Sequence, residues 1–242
     1  MRILRSALLI CSLFAGFAQA ESSDALAIAV SNDDVKQMQA AIAAGADIDA
    51  NLGEGRTPLI TAVMMTKPAA VKFLLEHGAD PEHVAQNPGG NAVAAAFFAT
   101  NGVALTRMGE DNDTLALRPA ALEILRLIAA RKPDFNVLLS RGPTRMSPLM
   151  IAANAGVPDV VKILLDAGAS PNFANGGKYT ALDYAADRRP GWSPSTLEDR
   201  AEVVRLLVAA GAQPQKKGAD GLTAVDRAKR SGNPGVIAAL SK

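Results

Sequence analysis

The chain of 242 residues carries 25 basic and 24 acidic side chains, two histidines and a single cysteine, Cys11. This near-neutral balance, with no basic stripe interleaved with aromatics, argues against a nucleic-acid footprint, and one cysteine excludes an internal disulfide framework. Apolar residues make up 49% and aromatics only 4%, so Ala, Leu and Val must supply the core, as in closely packed short helices.

Residues 1–20 read as a cleavable leader. Arg2 and Arg5 give a positive start, Ala7 to Phe17 is a short apolar run, and Ala18-Gln19-Ala20 is an Ala-x-Ala site with cleavage expected after Ala20. The run is too short to span a bilayer. Lipid attachment at Cys11 would need a small residue before it, where Ile10 stands. Removing the leader leaves 23 basic residues against 24 acidic ones and no thiol. An exported chain without thiols suits a bacterial periplasm. The expected location is therefore periplasmic or secreted, with no membrane span after cleavage.

The remaining chain, 21–242, falls into six related stretches. The first, 24–53, starts weakly at Asp24 and is polar on one side (Asn32, Asp33, Asp34, Lys36, Gln37), which fits a terminal cap that must face water. The second, 54–87, opens its first helix with T-P-L-I-T-A at 57–62 and closes its second at Gly78. The third, 88–141, opens with N-A-V-A-A-A at 91–96, detours through a loop from Thr100 to Pro119, and resumes in a helix over 120–130 that closes at Lys132. The fourth, 142–176, is the most regular. Ser147 can cap a helix and Pro148 sits at its first position, where the missing N–H costs nothing. Leu149, Ile151, Ala152 and Ala153 form an apolar face, Gly156 to Pro158 turn the chain, and Val160 to Leu165 form a second apolar helix that Gly168 ends. The fifth, 177–219, starts with T-A-L-D-Y-A at 180–185, inserts 188–194, and resumes in a helix over 201–210. The sixth, 220–242, starts with T-A-V-D-R-A at 223–228 and charges its first helix with Asp226, Arg227, Lys229 and Arg230, as a closing cap requires.

Two landmarks hold these stretches in register. Gly45 and Gly78 are 33 residues apart, and 21 residues separate Thr57 from Gly78 and Ser147 from Gly168. This pattern resembles the ankyrin repeat family, whose 33-residue helix–turn–helix carries a T-P-L-H-x-A signature. The resemblance implies an all-α ankyrin-repeat solenoid of about six units, with the polar turns between units as hairpin fingers. No unit keeps the signature His. Ile60, Ala94, Met150, Asp183 and Asp226 stand there instead, and the two aspartates can accept hydrogen bonds from Thr180 and Thr223.

Side chains for chemistry are sparse. His77 lies at a helix end, where a cation suits the helix dipole. His83 has Asp80 and Glu82 nearby but no second His or Cys, so it makes a poor metal site. Glu110, Asp111 and Asp113 lack the glycine and closing glutamate of a calcium loop. Gly89-Gly90 and Gly176-Gly177 read as finger turns, because no Lys-Ser/Thr follows to complete a phosphate cradle. No catalytic, cofactor-binding or metal-binding residue is assigned, no cofactor is expected, and the chain reads as a non-enzyme.

What remains is a surface. In the ankyrin family the fingers and first helices line a concave face where partners bind. The resemblance therefore implies a partner-binding strip through Glu54, Arg56, Met64, Met65, Phe98, Met146, Asn154, Tyr179, Asp187, Arg188 and Arg230, with Trp192 on the inserted loop. Met, Tyr, Phe and Arg are enriched at interfaces. The expected function is non-catalytic binding of a folded protein by a monomeric periplasmic module, in a stress-protection or immunity role. The competing readings are a hydrolase or metal-dependent enzyme built on the inserted loops, and a structural scaffold.

Overall fold

The computed structural model describes residues 19–53, 55–83, 114–139, 145–187 and 197–241, with side chains from Pro119 onward in the third stretch. Among them the regular structure is helical, and the one β-type pairing is an isolated bridge between Lys217 and Thr223. The helices are α1 over residues 19–31, α2 (Val35–Ala43), α3 (Pro58–Met64), α4 (Pro68–Glu76), α5 (Thr114–Ala129), α6 (Pro148–Ala155), α7 (Pro158–Asp166), α8 (Ala181–Ala186), α9 (Leu197–Ala209), α10 (Ala224–Ser231) and α11 (Pro234–Leu240). They divide into two compact units. The first holds α1 to α4 and α5 up to residue 128; the second holds residue 129 onward.

Each helix pair is written locally by its ends. First helices open on a hydroxyl cap. Thr57 Oγ1 accepts from the Ile60 amide at 3.2 Å, Ser147 Oγ from Met150 at 3.3 Å and Thr223 Oγ1 from Asp226 at 3.1 Å. Such a cap satisfies an orphan amide and contributes about 1 kcal/mol. Second helices α4, α7 and α11 begin on proline, at a position that needs no amide donor.

The turn inside a pair and the close of its second helix both use left-handed residues. Asp33 and Gly45, Thr66 and Gly78, and Gly156 and Gly168 are such pairs, each 12 residues apart. The four closing glycines Gly45, Gly78, Gly168 and Gly211 sit at φ of +90 to +96°. In each the glycine amide donates to the carbonyl three residues back and the following alanine amide to the carbonyl five back, at 2.9–3.2 Å. This is the Schellman arrangement that retires orphan carbonyls.

Lys132, where the glycine is missing, keeps a left-handed backbone at φ 53°. Its amide donates to the Ala129 carbonyl at 2.9 Å. The second bond cannot form, because the next residue is Pro133 and has no amide hydrogen. A φ near +55° is accessible to a non-glycine residue, whereas one beyond +90° is not comfortable for any side chain.

The core of each unit is small and aliphatic. In the first, Leu26, Met38, Leu59, Ile60, Val71 and Leu74 are fully or almost fully buried, and α4 packs on α2 and α3. In the second, α8 packs on α6 and α10, and α9 packs on α7 and α11; Leu149, Leu182, Val160, Leu164, Val204 and Val236 on these helices are buried. Each buried Val, Leu, Ile or Met side chain contributes roughly 1.5–3 kcal/mol, and each alanine less.

Two helices start earlier than the repeat pattern predicts. Residue 114 already begins α5, so the expected loop from Thr100 to Pro119 ends sooner and Pro119 lies inside the helix. Residue 197 begins α9, four residues before the expected start. Glu198 and Asp199 occupy its first turn, where the helix dipole favours carboxylates, and Arg205 reaches back to both Glu198 and Glu202.

Candidate functional site

Within the first unit, α1 and α3 present the solvent-facing side of successive first helices. The core side of α3 is Leu59, Ile60, Ala62 and Val63. Its other side ends in Met64 and Met65, which are 52% and 46% exposed. In the 33-residue register Ile28 on α1 corresponds to Thr61, one turn before Met64, and it is 60% exposed. Three large apolar side chains thus stand half exposed on successive first helices. Arg56 lies in the finger that leads into α3, where a tight turn joins its amide to the Gly53 carbonyl at 3.0 Å and its carbonyl to the Leu52 amide at 2.8 Å.

The fingers are held by a ladder that the sequence reading missed. Asp49 accepts from the Asp80 amide at 3.1 Å, Asn136 from the Ser170 amide at 2.8 Å, and Asn172 from the Gln213 amide at 3.1 Å. Each acceptor lies four residues past a helix-closing position, and each donor two residues past the next. The recurring Asx at that offset was the available signal. Asp33 makes a comparable link between helix pairs. Its carboxylate accepts from the Ala70 amide at 2.8 Å and so caps α4, whose own N-cap residue Lys67 provides no side-chain bond.

In the second unit the corresponding surface is charged. Arg227 on α10 is buried to 5% exposure. Its Nε donates to Asp183 at 3.2 Å and its Nη2 to both carboxylate oxygens of Asp220 at 2.6 and 2.8 Å. Its guanidinium also lies 4.9 Å from the centre of the Tyr179 ring. Asp187 on the α8 side receives Arg230 at 3.2 Å and lies 3.8 Å from Arg227. Burial pushes the Asp220 carboxyl up and the Arg227 guanidinium down. Their hydrogen bonds to each other, with the surrounding opposite charges, outweigh this, so Asp220 titrates below and Arg227 above the ordinary value.

The hydroxyl–carboxylate bonds foreseen for the two aspartates are present. Thr180 Oγ1 donates to Asp183 at 2.9 Å and Thr223 Oγ1 to Asp226 at 2.7 Å. Donation by the Thr223 amide and hydroxyl holds the Asp226 carboxyl below its ordinary range. Arg227 departs from the expected water-facing cap, because three carboxylates and an aromatic face surround it.

The sequence-predicted residues therefore sort into groups. Met64 and Met65 are exposed together. Tyr179 and Asp187 lie against Arg227, and Arg230 pairs with Asp187. Tyr179 also stacks edge-on against Tyr184, with ring centres 6.2 Å apart. Met146 accepts from the Leu139 amide through its carbonyl at 2.9 Å, and the neighbouring finger is tied to it by Asn175, which donates to the Arg145 carbonyl at 3.1 Å. The Asn154 carbonyl accepts from Arg200 at 3.1 Å. Glu54, Phe98, Arg188 and Trp192 lie outside the described residues, as do Glu110, Asp111 and Asp113.

His77 is the C-cap of α4. Its ring stacks on Phe73 at 4.0 Å and Nδ1 lies 2.8 Å from the Phe73 carbonyl. Among the described residues no group of three His, Cys, Asp or Glu is placed to hold a metal, and no helix is long and apolar enough to cross a membrane.

Comparison with known proteins agrees with this geometry. A family model described as ankyrin repeats (3 copies) matches residues 6–96 and 115–218. The ankyrin repeat protein YahD of Escherichia coli (strain K12) is 24% identical over 216 residues, covering 85% of this chain and 88% of that protein. Among solved structures, the ankyrin repeat protein EF0377 superposes with a TM-score of 0.68 at 25% identity, over 91% of this chain and 98% of the other. A chain from the complex of the predatory endopeptidase Bd0816 of Bdellovibrio bacteriovorus with the immunity protein Bd3460 superposes with a TM-score of 0.57 at 24% identity, over 90% of this chain and 97% of the other. The fold is all-α and built of ankyrin repeats.

Proposed function

Because this chain belongs to the ankyrin-repeat family, whose fold is an interaction scaffold, we propose that it is an exported, non-catalytic module that binds a folded protein through its first-helix face. The observation that carries this reading is the trio Ile28, Met64 and Met65, large apolar side chains half exposed on successive first helices. Methionine is polarizable and adaptable, and suits a surface that must mould to a partner. Apolar anchors on a rigid array bind with little ordering cost.

The leader pattern in residues 1–20 supports export, and the thiol-free remainder supports a periplasmic setting. The Bdellovibrio bacteriovorus complex pairs an endopeptidase with an immunity protein. Protection against a toxic enzyme is therefore the role to test first, with stress protection second.

The test is affinity capture by the tagged protein from periplasmic extract, with wild type beside Met64→Asp/Met65→Asp. Placing unpaired charge in the interface is expected to abolish capture of the specific partner and to leave the melting curve in place. Undiminished capture by the double variant refutes the site.

A further inference from the structure

We propose that Met64 and Met65 form an oxidation site, at which a peroxide-class oxidant converts both thioethers to sulfoxides and turns this apolar face polar. Of the five described methionines, two are buried and two are half exposed, with Met146 between them. Met38 and Met150 are completely buried, and the Met150 sulfur also accepts the Ser147 amide at 3.4 Å. Met64 and Met65 are adjacent in sequence, and about half of each is open to solvent. Thioether oxidation follows exposure, because the oxidant must reach a sulfur lone pair.

The step is self-contained. A sulfur lone pair attacks one oxygen of hydrogen peroxide and the O–O bond breaks as the S–O bond forms. The proton on the transferred oxygen passes to the departing hydroxide, which leaves as water. Sulfur loses two electrons and the peroxide gains them. The product is the sulfoxide, which methionine sulfoxide reductases return to the thioether with a thiol reductant.

The placement separates this chemistry from the fold. The core side of α3 lies on other residues, and Met65 serves the helix end through its backbone amide, which donates to the Thr61 carbonyl at 3.0 Å, while the next amide, Thr66, donates to the Val63 carbonyl at 3.1 Å. Oxidation adds an oxygen to a solvent-facing side chain and leaves those bonds intact. In a complex the same oxygen would be a buried acceptor without a donor, which is costly. This effect on docking rests on the binding reading above; the oxidation itself does not.

The experiment doses the whole protein with hydrogen peroxide and follows each methionine by peptide mass spectrometry. Met64 and Met65 are expected to gain an oxygen at least tenfold faster than Met38 and Met150, with an unchanged circular-dichroism melt once both are converted. Equal protection of all four, or loss of helical signal on conversion of the pair, overturns the site. Protein oxidised only to that point is then used for capture from periplasmic extract. Loss of the partner, restored by methionine sulfoxide reductase with thiol, supports the switch. Capture that survives oxidation overturns the switch and leaves the binding reading standing. If unoxidised protein captures nothing, the binding reading fails and the switch with it, while the oxidation rates stand on their own.

Discussion

Counted from the hydroxyl cap of each first helix, Met64, Asp187 and Arg230 occupy the same position, seven residues in, yet the two units use it in opposite ways. In the first unit the position holds a half-exposed thioether. In the second, the residues of successive repeats carry opposite charge and close on each other at 3.2 Å. One turn earlier the contrast recurs. There the first unit has exposed Ile28 and the last repeat has buried Arg227. Register decides which residues share a face. The chemistry of the neighbouring repeat decides whether that face is consumed by the fold or left for a partner. The aliphatic face of α6 is buried by α8, but α10 is the first helix of the last repeat and is docked by a guanidinium held among carboxylates.

The largest expected effect comes from removing that guanidinium. Arg227→Ala leaves Asp183 buried and Asp220 without its two-pronged partner. Breaking a buried ion pair from one side costs about 3–5 kcal/mol. Urea denaturation should show this loss, and hydrogen exchange should localise it to α10 and α11. Arg227→Lys should recover only a fraction of it, because a point charge cannot serve Asp183 and Asp220 at once as the planar fork does. A cost within ~0.5 kcal/mol for Arg227→Ala would mean that the charged face is ornamental and that the contrast between the units is false.

A smaller loss is expected from crowding the same cluster. A Cβ on Gly218 would stand 2.6 Å from Cε1 of Tyr179 and 3.0 Å from Nη2 of Arg227. Both neighbours are already engaged with each other, so Gly218→Ala should destabilise by about 1–3 kcal/mol. Gly176→Ala, on the neighbouring finger and with nothing within 4 Å of the added atom, is the matched control and should be near neutral in a thermal melt.

Acid tests the last repeat without mutation. Asp220 and Asp226 have folded-state values below those of the unfolded chain. Such groups stabilise fully above the unfolded value, near pH 4, and the contribution disappears as the pH falls through the lower folded value. Stability of the last repeat should therefore be flat between pH 5 and 8 and decline below about pH 4. Asp226→Asn should narrow the gap between melts at pH 6 and pH 3. An unchanged gap would remove the Thr223–Asp226 bond from the account.

Much of this was legible in the sequence. Thr57, Ser147 and Thr223 mark helix starts and Gly45, Gly78, Gly168 and Gly211 mark ends, because caps and left-handed closures depend on single residues acting locally. Lys132 was legible only as a missing glycine. Its retained left-handed backbone and its lost second bond follow from Pro133, which the sequence also displays. The early starts of α5 and α9 were not legible, since the pattern marks an insertion and not how much of it coils. Arg227 was misplaced toward water for another reason. A charged residue in a terminal repeat reads as solvated unless its partners are known, and Asp183 lies 44 residues away. The Asx ladder in the fingers escaped likewise, because each rung joins different repeats.

The smallest effects decide whether the two faces differ in purpose. Arg230 is 56% exposed and Asp187 21%, so water already screens this pair. Arg230→Ala should cost about 0–1 kcal/mol, with Asp187 still near Arg227. Met64→Gln should cost no more than ~0.5 kcal/mol, since about half of the side chain is already in water. Stability alone therefore barely separates the two variants, and the useful measurement is stability and partner capture together. Arg230→Ala is expected to lower the melting point slightly and leave capture intact, because its charge is spent on Asp187. Met64→Gln is expected to leave the melt intact and weaken capture. Were Arg230→Ala the variant that lost the partner, the charged face of the second unit would be the docking surface, and the exposed methionines would be a surface that neither the fold nor the partner uses.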